Sequence, residues 1–244
     1  MLIAIINYIA PHQTISRELF IIVAISTIVC PPFLHDLRIM KHFLKPFIVI
    51  FSMLIMVTGC NGADAPKQGK HYTVLPTAIT NAPQVLEVFS FGCGHCRTME
   101  TIIPEMEKQT NTKIEKMHAT FDRGSQMLAF MYYTAVIQTE GKPSEKFMDD
   151  LFGYIQEPSN ASEEERKSQL ENIYKNNNLK TPYALSDSEQ KEVVAKMEYA
   201  DKVMQESQLN AIPAFIVGGK YLVNTGAHES IEDISTTISH LLTL

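Results

Sequence analysis

Between Tyr72 and Leu244 the apolar positions switch repeatedly between a strand period and a helix period. Tyr72 to Leu75 reads as an edge strand, and Gln84 to Phe91, a run of β-formers, as a buried central one. The run breaks at Gly92. Met99, Ile102, Ile103 and Met106 then recur at helical spacing, and Pro104 is expected to kink that helix without ending it. Lys113 to Thr120 alternates as the next strand, which predicts a β–α–β unit with two parallel strands joined by a crossover helix.

From Asp122 the pattern turns helical. Met127, Leu128, Met131, Ala135 and Val136 form one stripe, and Phe147, Leu151 and Ile155 another. Ser162-x-x-Glu165 is a capping box that opens a third helix, with Leu170, Ile173 and Tyr174 inward, closed by Asn176-Asn177-Asn178. Met and aromatic stripes of this kind are core rather than ligand surface. Glu189 to Leu209 follows as a long amphipathic helix with Val193, Met197, Ala200 and Met204 inward. Ala214 to Val217 and Tyr221 to Val223 are strands joined by a Gly218-Gly219 turn. Ser230-x-x-Asp233 then starts a last helix with Ile231, Ile234, Ile238 and Leu241 inward.

The N-terminal stretch follows different rules. Residues 1–39 are apolar, and Leu19 to Cys30 is short for a membrane span. They read as a misassigned extension upstream of a start at Met40, or as an extra membrane segment. Residues 40–59 form a complete export signal: Lys41 and Lys45 before an apolar run from Phe47 to Val57. Val57-Thr58-Gly59-Cys60 resembles a lipobox, which makes Cys60 the expected site of acylation. Ordinary cleavage after Ala63-Asp64-Ala65 is the rival, with Pro66 unfavourably placed just past the cut. Residues 60–71 are then a polar tether. Asn61 in place of aspartate points to the outer membrane over the inner.

Without the four basic and two acidic residues before Cys60, 17 basic and 25 acidic residues remain. So acidic a body argues against nucleic acid as a partner.

With Cys30 and Cys60 outside the fold, Cys93 and Cys96 are the remaining pair. Cys-x-x-Cys at a strand-to-helix junction marks a redox site. There Cys93 faces unpaired N–H groups and the positive end of the helix dipole, which favour thiolate over thiol, and a protonated His95 would add to this. Cys96, one turn on and more buried, can attack a mixed disulfide formed at Cys93. Zinc would need about four ligands, and no second Cys pair exists. A c-type haem would need His where Arg97 stands. So short a loop would gain little as a structural disulfide. His118 and His228 lack metal-ligand spacing and read as ordinary.

Gln84-Val85-Leu86-Glu87-Val88-Phe89-Ser90-Phe91 followed by Cys-x-His-Cys resembles the DsbA family of periplasmic thiol oxidases. Lys116 to Phe121 and Ile212 to Tyr221 match as well, so the likeness runs from about Tyr72 to the C-terminus. It implies an α/β thioredoxin fold, a central mixed sheet flanked by helices, split by an all-helical insertion. The parts are then residues 72–121 and 189–244 for the thioredoxin fold and 122–188 for the insertion.

The resemblance further implies a cis Ile212–Pro213 bond against the cysteine loop, with the backbone of Ile212 pairing an extended substrate segment. Glu87, costly if unpaired in so apolar a strand, matches an acid beneath the cysteines, and Lys116 its basic partner. Such a pair could carry the proton that Cys96 exchanges. Two positions depart from the family: Gly94, where its closest members carry Pro, and Gly92, where they carry an aromatic. Gly-His is the dipeptide of protein disulfide isomerase. The implied protein is a monomeric oxidase that needs no cofactor, acts on exported proteins with free thiols and is reoxidised by a DsbB-like membrane partner. A reductase or isomerase of the same fold, or a module that binds clients without turnover, are the alternatives.

Overall fold

A computed structural model describes residues 65–244. Cys30, the signal segment and Cys60 lie outside the described residues. Five strands form one sheet in the order β1-β5-β4-β2-β3: β1 Tyr72–Val74, β2 Val85–Phe89, β3 Ile114–His118, β4 Ala214–Val217 and β5 Tyr221–Val223. β2 and β3 are parallel, and the remaining pairs are antiparallel. The inner strands are short and mostly apolar, Glu87 aside, because both faces of the sheet are covered.

The period of two sorts those residues between the faces. Leu86, Val88 and Ile216 join a cluster with Tyr132, Phe147, Leu151, Tyr174 and Val193, from the helices of the insertion and the long helix after it. Val85, Phe215, Val217 and Ile114 pack with Met106, Ile234 and Ile238 on the other side. Each aliphatic or aromatic side chain buried there contributes roughly 1.5–3 kcal/mol.

Seven α-helices complete the described residues: α1 Gly94–Glu100, α2 Ile103–Thr110, α3 Arg123–Val136, α4 Glu145–Gln156, α5 Glu163–Asn176, α6 Asp187–Ser207 and α7 Ile231–Leu241. This is a thioredoxin-like fold in which α3–α5 are inserted between β3 and α6.

The structure corrects the sequence reading at four places. Pro104 does not kink one helix; it separates two. A proline nitrogen cannot donate to Glu100, so the ladder gives way to short bonds, Thr101 N–H to Thr98 O at 3.2 Å and Ile102 N–H to Met99 O at 2.9 Å. The central strand stops at Phe89 and not at Phe91, because Ser90 and Phe91 already belong to the turn into α1. Met127 is 60% exposed, and α3 instead buries Ala129, Tyr132, Tyr133, Ala135 and Val136. The long helix starts two residues earlier than its apolar period suggests, because Ser186 and Glu189 form a capping box at its entry.

The Gly218-Gly219 turn has φ of 57° and 64°, left-handed backbone that favours glycine. Gly219 is held more tightly still. A Cβ there would lie 2.5 Å from the Ile79 carbonyl.

Candidate active site

β2 ends at the edge of an aromatic cluster made by Phe89, Phe91, Tyr132 and Phe152, with neighbouring ring centroids 4.7–6.1 Å apart. The chain turns there and delivers Cys93 as the N-cap of α1. Cys93 is half-buried, whereas Cys96 is buried with no exposed surface. Cys96 N–H donates to Cys93 Sγ at 3.3 Å. Burial pushes the Cys96 thiol well above its usual range, and a hydrogen bond with Cys93 adds to the effect. One sulfur is reachable and hydrogen-bonded; the other is sealed and protonated.

Ile212 and Pro213 arrive at the same place from the start of β4. Their peptide bond is cis, and Cys93 Sγ lies 3.8 Å from Ile212 O. A cavity of about 230 Å³ opens beside Pro213, lined by Thr73, Leu209, Asn210, Ala211 and Leu222 among others. His95 and Gly94 are exposed at the first turn of α1. Cys93, Cys96, Ile212 and Pro213, far apart in the chain, therefore meet at one end of the sheet.

Glu87 and Lys116 are register partners across the parallel β2–β3 pair. Lys116 Nζ bonds the Glu87 carboxylate and also reaches Glu100 of α1 at 2.9 Å. Glu87 is wholly buried, and its other oxygen, Oε1, has no hydrogen-bond partner. Burial pushes the Glu87 carboxyl up, and the Lys116 ammonium offsets part of that rise. For Lys116, burial works against the charge but Glu87 and Glu100 outweigh it, so its value is raised.

Two further residues bear on the site. His118, last in β3, is buried between the rings of Phe89 and Phe91. Its Nε2 accepts from Phe91 N–H at 3.0 Å and its Nδ1 donates to Ala119 O at 2.8 Å, which together select the neutral Nδ1–H tautomer. Burial takes its pKa down to about 4, against a smaller opposing effect of the Ala119 carbonyl. From α4, Gln156 Nε2 donates to Phe91 O at 2.7 Å and Cys93 O at 3.1 Å. His118, which the sequence reads as ordinary, and Gln156, to which the sequence gives no signal, both serve this turn; lone His and Gln residues give no pattern in a sequence.

A thioredoxin family model matches residues 79–240. The thiol:disulfide interchange protein DsbA of Escherichia coli K12 is 30% identical over 166 residues, covering 65% of this chain and 76% of that protein. This chain belongs to the DsbA branch of the thioredoxin superfamily. It is a thiol:disulfide oxidoreductase. DsbA of Yersinia pestis is 28% identical over 192 residues, covering 74% of this chain and 86% of the relative. Among solved structures, DsbL of Salmonella enterica serovar Typhimurium aligns over 75% of this chain and 100% of its own, with TM-score 0.59 and 19% identity. DsbA of Proteus mirabilis aligns over 73% and 98%, with TM-score 0.53 and 22% identity. Those two likenesses bear on the fold.

Proposed function

We propose that this DsbA-like protein oxidises thiols of exported proteins through a Cys93–Cys96 disulfide. The observation that carries the reading is the asymmetry of the pair: Cys93 is reachable beside Ile212, and Cys96 is sealed beneath it. A client thiolate attacks Cys93, forming a mixed disulfide, and Cys96 leaves as a thiolate that takes up a proton. A second client thiolate attacks the client sulfur of the mixed disulfide and displaces Cys93. The client gains a disulfide, and two electrons stay on the enzyme as a dithiol.

Glu87, whose charge acts on the Cys96 thiol, and its partner Lys116 pass the proton that Cys96 takes up or gives back. His95 supports the Cys93 thiolate, and Ile212 and Pro213 align the client chain. A DsbB-like membrane partner removes the electrons. The protein works in the periplasm, tethered through acylated Cys60. Among the described residues no helix is long and apolar enough to cross a membrane. Labelled fatty acid should enter the wild type and not Cys60→Ser; equal labelling of both would refute the anchor.

Gly94 gives a reductase or isomerase some support, since it creates the Gly-His dipeptide. Melting both redox forms at pH 7 separates the readings. Hydrogen bonds to a thiolate stabilise the dithiol form alone, so an oxidant melts higher when reduced. A higher melting temperature for the disulfide form would assign the protein to the reductases. Cys93→Ser should abolish thiol oxidation altogether; retained oxidation would overturn the mechanism.

A further inference from the structure

The turn between Phe89 and α1 has left the sheet without yet joining the helix, so its backbone groups need partners of their own. The donors find them nearby: Phe91 N–H at His118 Nε2, Gly92 N–H at Ser90 Oγ and Cys93 N–H at Ser90 O. Of the acceptors, Ser90 O takes the Cys93 N–H, and Cys93 O takes the Cys96 and Arg97 N–H groups of α1 at 3.1 and 3.2 Å. The Phe91 carbonyl, and a further bond to Cys93 O, are served from outside the thioredoxin fold. Gln156, the last residue of α4 and 63 residues beyond Cys93, gives bonds to both the Phe91 and the Cys93 carbonyl. A primary amide carries two N–H groups on one nitrogen, so a single Gln can hold both oxygens at once. Arg97 also ties α1 to α4, pairing with Asp149 at 3.3 Å and with Glu157, the C-cap, at 3.2 Å at the surface.

We propose that Gln156 is a positioning residue for thiol–disulfide exchange, through which the helical insertion sets the redox balance of the cysteine pair. Its two bonds fix the loop whose geometry brings Cys96 N–H onto Cys93 Sγ. In the dithiol form that alignment rests on hydrogen bonds. In the disulfide form the S–S bond holds the loop covalently. Loss of Gln156 therefore weakens the dithiol form more, and the protein becomes a poorer oxidant.

The test is equilibration of the full-length chain with glutathione: protein disulfide and two glutathione thiols give protein dithiol and glutathione disulfide. In Gln156→Met, of similar length but without donors, the constant for this reaction should fall about tenfold, which is about 30 mV for a two-electron couple. Lys146→Met, which removes the surface pair of α4 with Asp150 without touching a loop carbonyl or Gln156, should leave the constant unchanged. An unchanged constant in folded Gln156→Met, or an equal fall in both variants, overturns the proposal. If Gln156→Met does not fold, the dithiol wild type decides by NMR. Gln156 side-chain N–H protons should exchange slowly with solvent and resonate apart from free amides; fast exchange at free-amide positions overturns it. The inference rests on Cys93 as the exchanging thiol. Alkylation of the wild type at Cys96 would remove that premise, whereas normal alkylation with an unmoved constant rejects Gln156 alone.

Discussion

Cys96 gives its backbone N–H to Cys93 Sγ at 3.3 Å while its own sulfur has no exposed surface. A donor aimed at one sulfur and burial of the other assign opposite tasks to two residues three positions apart. At mildly acidic pH an alkylating agent should modify Cys93 first in the reduced protein. Cys96→Ala should retain that reactivity and accumulate mixed disulfides with client proteins, seen as bands that collapse on reduction. Preferential modification at Cys96 would reverse the assignment.

The triad of buried Glu87 with half-buried Lys116 and Glu100 predicts unequal responses to mutation. Lys116→Met strands the Glu87 carboxylate without a counter-charge and should destabilise the protein by about 3–5 kcal/mol. Glu87→Gln leaves Lys116 held by Glu100 and removes a buried charge. Because burial raises the folded value of Glu87, its ionised form opposes folding at neutral pH, and this variant should be at least as stable as the wild type. Urea unfolding at pH 7 measures both. Equal loss in the two variants would mean that burial of Glu87 costs little.

His118 should make stability pH-dependent. Its folded pKa of about 4 lies below the unfolded value of 6.5, so between the two the unfolded chain binds the extra proton. Stability is thus lost as pH falls from 6.5 to about 4, by up to about 3 kcal/mol from this one residue. His118→Gln keeps one donor and one acceptor and should flatten that stretch of the curve. An unchanged slope in the variant would place the dependence on other groups.

Gly94 can accept a proline. It is the first residue of α1, where a proline ring costs no helical hydrogen bond, and a Cβ there would meet nothing within 4 Å. Cys93, at φ −99° and ψ 114°, already has the extended backbone that a following proline demands. Gly94→Pro should therefore raise the stability of both redox forms, by about 0.4–1 kcal/mol, through a stiffer unfolded chain. Chemical denaturation of the dithiol and the disulfide measures it, and a loss in either would reveal a clash that the backbone does not show.

The elements were legible where a capping box or an apolar run marked them, as in α5, opened by Ser162 and Glu165, and in the β4–β5 hairpin. The reading failed where one residue overrode the period. Pro104 looked tolerable inside a continuous apolar stripe, but the missing donor to Glu100 ended the helix. Met127 kept the right spacing and still faces outward, because Tyr132 and Tyr133 take the buried side of α3. At the site, Cys93, Cys96, Glu87, Lys116 and Pro213 stood out by residue type within a recognisable surrounding. His118 and Gln156 act through backbone groups of a turn 27 and 65 residues away, a relationship that leaves no local pattern.

The neighbour of Cys93 at the mouth of the site is a carbonyl 119 residues further along the chain. β4, which carries it in, is also the strand that flanks β2 on the side away from β3. A growing chain thus presents both cysteines long before it has synthesised the strand that encloses them. Through that interval the pair lacks the Ile212 carbonyl that neighbours Cys93 in the folded protein. The environment of Cys93 is complete only once β4 has slotted between β2 and β5, a long-range pairing that forms late relative to local contacts. Chemical identity here is a property of the finished chain, and nascent or truncated forms carry the motif without the enzyme.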